Sequence, residues 1–517
     1  MADSKVLDDL DITTSSPKDP SHRRHAILDD PELDGLSLYE KKALLVNREL
    51  DSHGMGKYQW YIFFLCGFGY LLDLLYAQAF GLVEPAMQQE FGFGGRQYAF
   101  NLTVLIASIF GLALAGPSTY DGVLVLAAFV GFGVGGNIPI DTTICLEFLP
   151  QNRRFLLAVL SVFQPIGVVL CSGIAYGLIP KYSCGNGADG KPLPACSAVT
   201  AGAPCCTKSS NMGWRYTLIV LGAICLVVFC LRFLVFHFQE SPKFLLYRGR
   251  DAKAVQVLHK VAAFNGREST ITTELFEALD EQDARENEDS MSPSFGTGKS
   301  QLHTTWKEKI LIEFKRYKIL FKGFDMARLT ILVWITYAFD YWGFSIAGSY
   351  LPKILLKKNA AIHVSVSETY RNFVLIYFPG IFGVFLGASM YAVPRIGRKW
   401  AMVGSSALMG ISLFLFATVN TQASNVGLNV MEYFFQSMFN AVLYGWTPEA
   451  FPAPIRGTAS GLASFWGRLF SIVSPLIAAH LLVDSLNAPL FLAGAGTLVC
   501  TVAIILMPSK SMGAQSF

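Results

Sequence analysis

Long apolar runs separated by short polar connectors dominate this chain. They fall at about 60–83, 98–116, 122–145, 155–180 and 214–236, then at about 327–351, 372–393, 399–419, 428–449, 456–482 and 487–507. Each approaches the roughly 20 residues that a helix needs to cross a bilayer. A polar leader (1–59) precedes them, a polar stretch (237–326) divides them, and a short tail (508–517) follows. The pattern predicts an all-α polytopic membrane protein of about eleven spans, five in a half at 60–236 and six in a half at 327–507. The leader is expected to be a mostly disordered cytoplasmic tail, with a short amphipathic helix over Leu36–Leu50. Helices are expected at Ala252–Phe264 and Trp306–Phe321 of the central stretch, with an acidic segment of low order, Glu274–Asp289, between them.

Composition agrees with the pattern. Of 517 residues 52% are hydrophobic and only 15% charged, against about a quarter charged in soluble domains, and the mean hydropathy is +0.41. The net charge of +3 gives no nucleic-acid signal. The first apolar run lies behind a long polar leader, so it reads as a span and not as a cleaved signal.

The stretch Gly131–Arg154 (GFGVGGNIPIDTTICLEFLPQNRR) carries most of the informative residues. An apolar run that holds an acid, Asp141, and ends on Glu147, Pro150, Arg153 and Arg154 reads as a membrane helix reaching the cytoplasm. Its glycines at 131, 133, 135 and 136 would let another helix approach closely. They also look like a nucleotide-binding loop, but no strand precedes them and no helix N-terminus follows.

The two halves repeat. Gly95-Arg96-Gln97-Tyr98-Ala99 reappears as Gly397-Arg398-Lys399-Trp400-Ala401, and Glu147-Phe148-Leu149-Pro150 as Glu449-Ala450-Phe451-Pro452, both at an offset of 302 residues. Arg153 stands behind the first Glu motif and Arg456 behind the second. Parallel membrane repeats are the build of a large transporter class.

Three further motifs carry a family resemblance. Gln239-Glu240-Ser241-Pro242-Lys243-Phe244-Leu245 resembles the PESPRFL motif of sugar porters, and Pro394-Arg395-Ile396-Gly397-Arg398-Lys399 the cytoplasmic D-x-x-GR-[RK] loop. Pro448-Glu449-Ala450-Phe451-Pro452 through Arg456-Gly457 is similar to PE-x-x-P-x-x-x-RG. Over 57–507 the chain resembles a fungal major facilitator superfamily transporter of the sugar-porter and synaptic-vesicle-protein-like branch. The resemblance implies the major facilitator fold, twelve helices around a cavity of alternating access. Shifting the second half back by 302 residues leaves one helix before Gly95 without a counterpart, by resemblance the second. The bridge Glu84–Gly95 is then expected to be extended. Its unpaired amides would cost several kcal/mol for each lipid-exposed group. A gene-model or splice omission, a reversed first span, and a first run that does not span are the three readings.

Intramembrane polar groups are the candidate chemistry. Asp73, Asp141 and Asp340 are proton-coupling candidates, because an acid near the bilayer centre normally faces a wet cavity and burial there favours its protonated form. Asp73 ranks first, since related symporters carry an acid in that helix. The family's partner arginine on the fourth helix is absent, no arginine lying within 122–152. An acid held structurally by neighbouring hydroxyls is the alternative. Asn137, Gln164, Tyr337, Trp342, Gln436, Asn440 and Trp446 are substrate-cavity candidates. Arg96, Glu147, Arg153, Glu240, Arg398, Glu449 and Arg456 are inner-gate candidates, with Glu147–Arg153 and Glu449–Arg456 expected as ion pairs, against plain snorkelling at the headgroups. Pro139 and Pro165 are expected to kink their helices.

Basic connectors alternate with weakly basic ones, which places both ends of the 98–507 unit in the cytoplasm and the 181–213 loop outside. That loop holds Cys184, Cys196, Cys205 and Cys206, disulfide candidates in an oxidising compartment. Adjacent Cys205 and Cys206 are disfavoured partners, and zinc is disfavoured because the loop has no histidine. The lysine-rich segment 306–322 is expected either to brace the halves or to lie on acidic lipid.

These residues predict a secondary transporter of a sugar-like solute or organic anion, coupled to protons and seated in a lipid bilayer. Export of a secondary metabolite or toxic compound, and a non-transporting sensor or impaired variant, are the alternatives. No cofactor, metal or nucleic-acid partner is expected, and the chain is expected to be a monomer in the plasma membrane or an endomembrane. An enzyme is disfavoured, because no GxSxG, zinc signature or Walker loop occurs.

Overall fold

The computed structural model describes residues 30–91, 104–134, 137–185, 193–196, 199–200, 202–234, 239–247, 249–288, 317–318, 320–361, 365–393, 397–419, 421–485 and 487–508. In chain order its helices begin with α1 (Leu38–His53), α2 (Lys57–Phe91), α3 (Val104–Ala113), α4 (Tyr120–Val134), α5 (Asn137–Phe148), α6 (Leu156–Leu160), α7 (Phe163–Tyr182) and α8 (Gly213–Leu234). Short helices α9 (Pro242–Tyr247), α10 (Asp251–Phe264) and α11 (Thr273–Glu288) follow. The second half supplies α12 (Phe324–Ala361), α13 (Val366–Tyr377), α14 (Gly380–Tyr391) and α15 (Gly397–Thr418), then α16 (Gln422–Ala450), α17 (Ala453–Asp484) and α18 (Ala488–Leu506).

Apolar length sets most of these helices. Seven segments among the described residues are long and apolar enough to cross a membrane: α2, α6 with α7, α12, α13 with α14, α15, α17 and α18. Among the described residues the other apolar runs are represented by α3, by α4 with α5, by α8 and by α16, the last carrying several amides and an acid. The chain between Glu84 and Phe91 is helical and not extended. Its Ala, Met, Gln and Glu residues are good helix formers, and a helix pairs its own amides where an extended strand would not. Residues 92–103, Arg96 among them, lie outside the described residues. The run at 155–180 divides at Ser161–Val162, just ahead of Pro165, a proline in the first turn of α7, where a missing N–H costs little.

The chain sorts into two compact units. One joins residues 30–53 with residues 240–288, so part of the leader and part of the central stretch fold together. Ser37 donates its N–H and hydroxyl to Glu40 at the start of α1 (2.9 and 2.7 Å). Lys42 is buried between Asp251 and Asp280, the latter at 2.6 Å, and lies over the Phe276 ring. The acidic segment expected to be of low order is helix α11. Leu275, Phe276 and Leu279 are buried on one face of it, which fixes the helix despite its charge. Residues 301–316, which hold most of the lysine-rich segment, lie outside the described residues.

Glu49 of α1 is buried in this unit. Burial alone would raise its carboxyl, but contacts from His53, Thr270 and Ser269 outweigh it and hold Glu49 at about 2, below the ordinary 4.5. A lowered folded-state value lends stability that is full above about 4.5 and fades as pH falls toward 2. Protection of the α1 amides, measured relative to their intrinsic exchange rates, is therefore expected to fall as the pH drops below about 4.5, and Glu49→Gln is expected to remove that pH dependence.

The other unit holds residues 54–239 and 303–516, both membrane halves included. Within it α2 packs on α5 and α7, and α12 packs on α17 and α18. The first helix of each half is its longest, 35 residues in α2 and 38 in α12. The halves meet where α2 touches α12, α13 touches α7, and α16 touches α5 and α6.

Candidate functional site

The acids of the two first helices occupy matching places. Tyr70-x-x-Asp73 on α2 corresponds to Tyr337-x-x-Asp340 on α12, at an offset of 267 residues, 35 fewer than the 302 that separates the later motifs. A deficit of that size holds one span and its connector. All four side chains are buried, and Tyr70 and Tyr337 both flank Tyr444 of α16, with ring centroids 6.4 and 5.9 Å away. Asp141 on α5 is also buried and lies against α2 at Gly69. A Cβ at Gly69 would stand 1.7 Å from its Oδ2, so a larger residue there would require the Asp141 carboxylate to move.

Asp73 has a cationic partner that sequence reasoning missed. Arg468, within α17, places Nη2 3.7 Å from Asp73 Oδ1, and its guanidinium lies 6.0 Å from the Tyr341 ring centroid. The pair crosses between the halves. Its signal was present in the sequence: an arginine inside the apolar run 456–482 is expensive unless it serves function. Glu432, buried on α16 within the run at 428–449, was missed for the same reason.

Around Glu147 and Glu449 the acids and arginines form two ion pairs, one across the halves and one within the second half. Arg456 Nη1 donates to Glu147 Oε1 at 3.0 Å, and both side chains are buried. Arg398 Nη2 lies 2.9 Å from Glu449 Oε2, the Tyr391 hydroxyl donates to the same oxygen at 2.6 Å, and the Arg398 guanidinium stacks over the Tyr391 ring. Arg153, expected to pair with Glu147, is exposed, whereas Arg154 is buried within electrostatic reach of Glu449. The 302-residue offset equates Arg456 with Arg154. Arg456 thus turns to the glutamate of the other half, whereas Glu449 takes Arg398 from its own. Glu240 is exposed and falls in the other unit.

Toward the opposite end of α2, Gln78 Nε2 donates to the Tyr377 hydroxyl at 2.9 Å. There Tyr370, Phe373 and Ile376 of α13 join one apolar cluster with Leu71 and Leu75 of α2 and Val168 of α7. Between the two ends lies a pocket lined by Ile138, Thr142, Tyr337, Tyr444, Ser460 and Ser464, with about 10 Å³ of space for a water centre. That is room for about one water. A contact between the halves lies on either side of it, Glu147–Arg456 on one and Gln78–Tyr377 on the other.

The cavity candidates divide. Gln164, Gln436 and Asn440 are buried, and one side-chain atom of each has no hydrogen-bond partner among the described residues. Tyr337 is buried and donates to Thr447 Oγ1 at 3.1 Å. Trp446 is buried on α16. Trp342 is not a cavity residue: its ring packs against Gly496 of α18 and Phe470, and its Nε1 donates to the Leu492 carbonyl. The side chain of Asn137 lies outside the described residues. On the loop side, the structure joins Cys184 to Cys206 and Cys196 to Cys205. No group of three or more metal-ligating side chains occurs among the described residues.

Comparison with known proteins accounts for this architecture. Residues 91–510 match the family described as Sugar (and other) transporter. MFS siderochrome iron transporter 1 of Ceriporiopsis subvermispora is 33% identical, over 93% of this chain and 92% of that protein. The synaptic vesicle 2-related protein of Pongo abelii is 23% identical, over 91% and 81%. Among solved structures, the proton:xylose symporter XylE of E. coli, bound to 6-bromo-6-deoxy-D-glucose, superimposes with a TM-score of 0.58 at 14% identity. That match covers 86% of this chain and 94% of the symporter.

Proposed function

The chain belongs to the sugar (and other) transporter family of the major facilitator superfamily, and from that premise we propose that it couples proton movement to transport of a small hydroxylated organic anion. One observation carries the reading: Arg468, its side chain 17% exposed, lies within the membrane unit with Asp73 as its anionic partner at 3.7 Å. A proton on Asp73 removes that partner and leaves the guanidinium to a carboxylate of the solute, which Arg can hold with two parallel hydrogen bonds. Loss of the proton on the other side returns Arg468 to Asp73 and expels the anion. Solute and proton then bind together and leave together, which is the requirement for symport.

The buried amides favour hydroxyl groups on that solute. Gln164, Gln436 and Asn440 each hold an unsatisfied polar atom, and a buried unsatisfied group costs about 1–3 kcal/mol until something pairs with it. A neutral sugar is the second reading, supported by the same amides but leaving Arg468 without a role. Cross-half pairing at Glu147–Arg456 supports alternating access, because separating the halves at that end must break it.

Uptake by the full chain in liposomes tests this, with gluconate, D-xylose and a ferric siderochrome as probes. An imposed inside-alkaline gradient is expected to drive gluconate accumulation, and a protonophore to abolish it. Asp73→Asn is expected to lose gradient-driven accumulation while keeping gluconate exchange. Concentrative uptake by Asp73→Asn, or transport of xylose alone with no pH dependence, would sink the reading.

A further inference from the structure

We propose that Arg328 and Lys399 bind the phosphate of one acidic phospholipid, at the end of the C-terminal half that the basic connectors assign to the cytoplasm. The site needs no assumption about the solute. Two hydrogen bonds bring the cations together. Arg328, near the start of α12, donates from Nη2 to the Leu506 carbonyl at 2.6 Å. Lys399, at the start of α15, donates from Nζ to the Met507 carbonyl at 2.8 Å. These acceptors are consecutive residues at the end of α18, on which α12 and α15 both pack. Each side chain has more than one N–H donor, so a further partner can share it.

Part of this arrangement is capping. The last carbonyls of α18 carry the negative end of its dipole, equivalent to about half a charge, and each cation satisfies one of them. Asp325, three residues before Arg328, adds a full negative charge. Arg398, beside Lys399, is spent on Glu449. Against the helix end and Asp325 stand Arg328, Lys399 and Lys322. Lys322 is exposed on the short turn before α12, and the Thr330 hydroxyl holds that turn by donating to the Leu320 carbonyl at 2.9 Å. The balance is a surplus of roughly one and a half positive charges, enough for one phosphodiester.

The surroundings favour a lipid over a soluble anion. Phe324 is 78% exposed and Trp400 57% exposed. Phe324 stands four residues before Arg328, on the same face of α12, and Trp400 follows Lys399 directly. Exposed aromatic rings beside basic residues at helix ends mark the headgroup level of a bilayer. Acyl carbons of a bound lipid cover such rings and gain from it, whereas a free phosphate does not. The guanidinium offers a planar fork to two phosphate oxygens, and the ammonium adds a point charge. Lys318 and Lys322 are the last two lysines of the segment 306–322, so that lysine-rich segment runs up to this site.

Photolabelling of the full chain in phosphatidylcholine vesicles tests the site. A photoactivatable phosphatidylserine is expected to label the peptides that hold residues 322–328 and 399–400 in preference to the same probe built on phosphatidylcholine. Arg328→Gln with Lys399→Gln is expected to lower that labelling about 30-fold, the effect of two interfacial cations. Other labelled peptides are expected to stay unchanged, which reports that the variant is folded. Asp325→Asn is expected to raise the labelling. Equal labelling of these peptides by both probes in the unaltered chain would overturn the site whether or not the variants fold. Undiminished labelling in a folded double variant would overturn it too. Displacement of the label by millimolar inorganic phosphate would overturn the choice of a lipid as the occupant.

Discussion

Arg468→Ala is expected to reduce gluconate accumulation by at least about 100-fold, with Arg468→Lys recovering only part of it. Removing one partner of a buried ion pair costs about 3–5 kcal/mol when the other stays charged. In this chain Asp73 escapes that cost by holding its proton permanently, which ends its turnover as a carrier. A lysine restores the charge but not the planar fork that grips a carboxylate with two bonds. The double variant Asp73→Asn with Arg468→Ala separates stability from transport. It leaves no unpaired charge, so its melting temperature is expected to lie above that of Arg468→Ala, while its transport stays absent. Gluconate accumulation by the double variant would contradict the assignment.

The second large effect is expected at the inner end. Glu147→Gln leaves Arg456 buried without its carboxylate. A loss of about 3 kcal/mol from the closed form shifts the balance toward inner opening by a factor of roughly 150. Ser464 lines the pocket between the halves. A cysteine placed there is expected to react with an impermeant maleimide from the cytoplasmic side in Glu147→Gln, and to be protected in the unaltered background. Exchanging the charges, Glu147→Arg with Arg456→Glu, is expected to recover part of the protection. Equal reactivity in all three backgrounds would show that this pair does not hold the inner end shut.

The helices were legible because a bilayer demands apolar length, and length survives any local irregularity in the sequence. The runs at 399–419 and 487–507 match α15 and α18 to within a few residues for that reason. Pairing partners were not legible in the same way. The motif Glu449…Arg456 sets two charges close along the chain, which suggested a local pair, but the fold turns Arg456 to Glu147 of the other half. Arg468 and Glu432 were hidden by the apolar runs around them, since one charge barely alters the average over twenty residues. The rule that an ionisable group inside a span marks function would have found both, had it been applied to bases and to every acid. Helix α11 shows the opposite failure: its acidic composition outweighed three apolar positions, Leu275, Phe276 and Leu279, that anchor it. Trp342 misled because an aromatic ring next to an acid looks like a cavity wall, whereas its ring fills the space that Gly496 leaves on α18.

Solute and proton are expected to meet at Asp73 and Arg468. Counting protons taken up when gluconate binds the purified chain in weakly buffered detergent solution tests it most directly. A single proton taken up per gluconate by the unaltered chain, and none by Asp73→Asn with gluconate still bound, is the result expected. Gluconate binding without proton uptake in the unaltered chain, or undiminished uptake in Asp73→Asn, would contradict it.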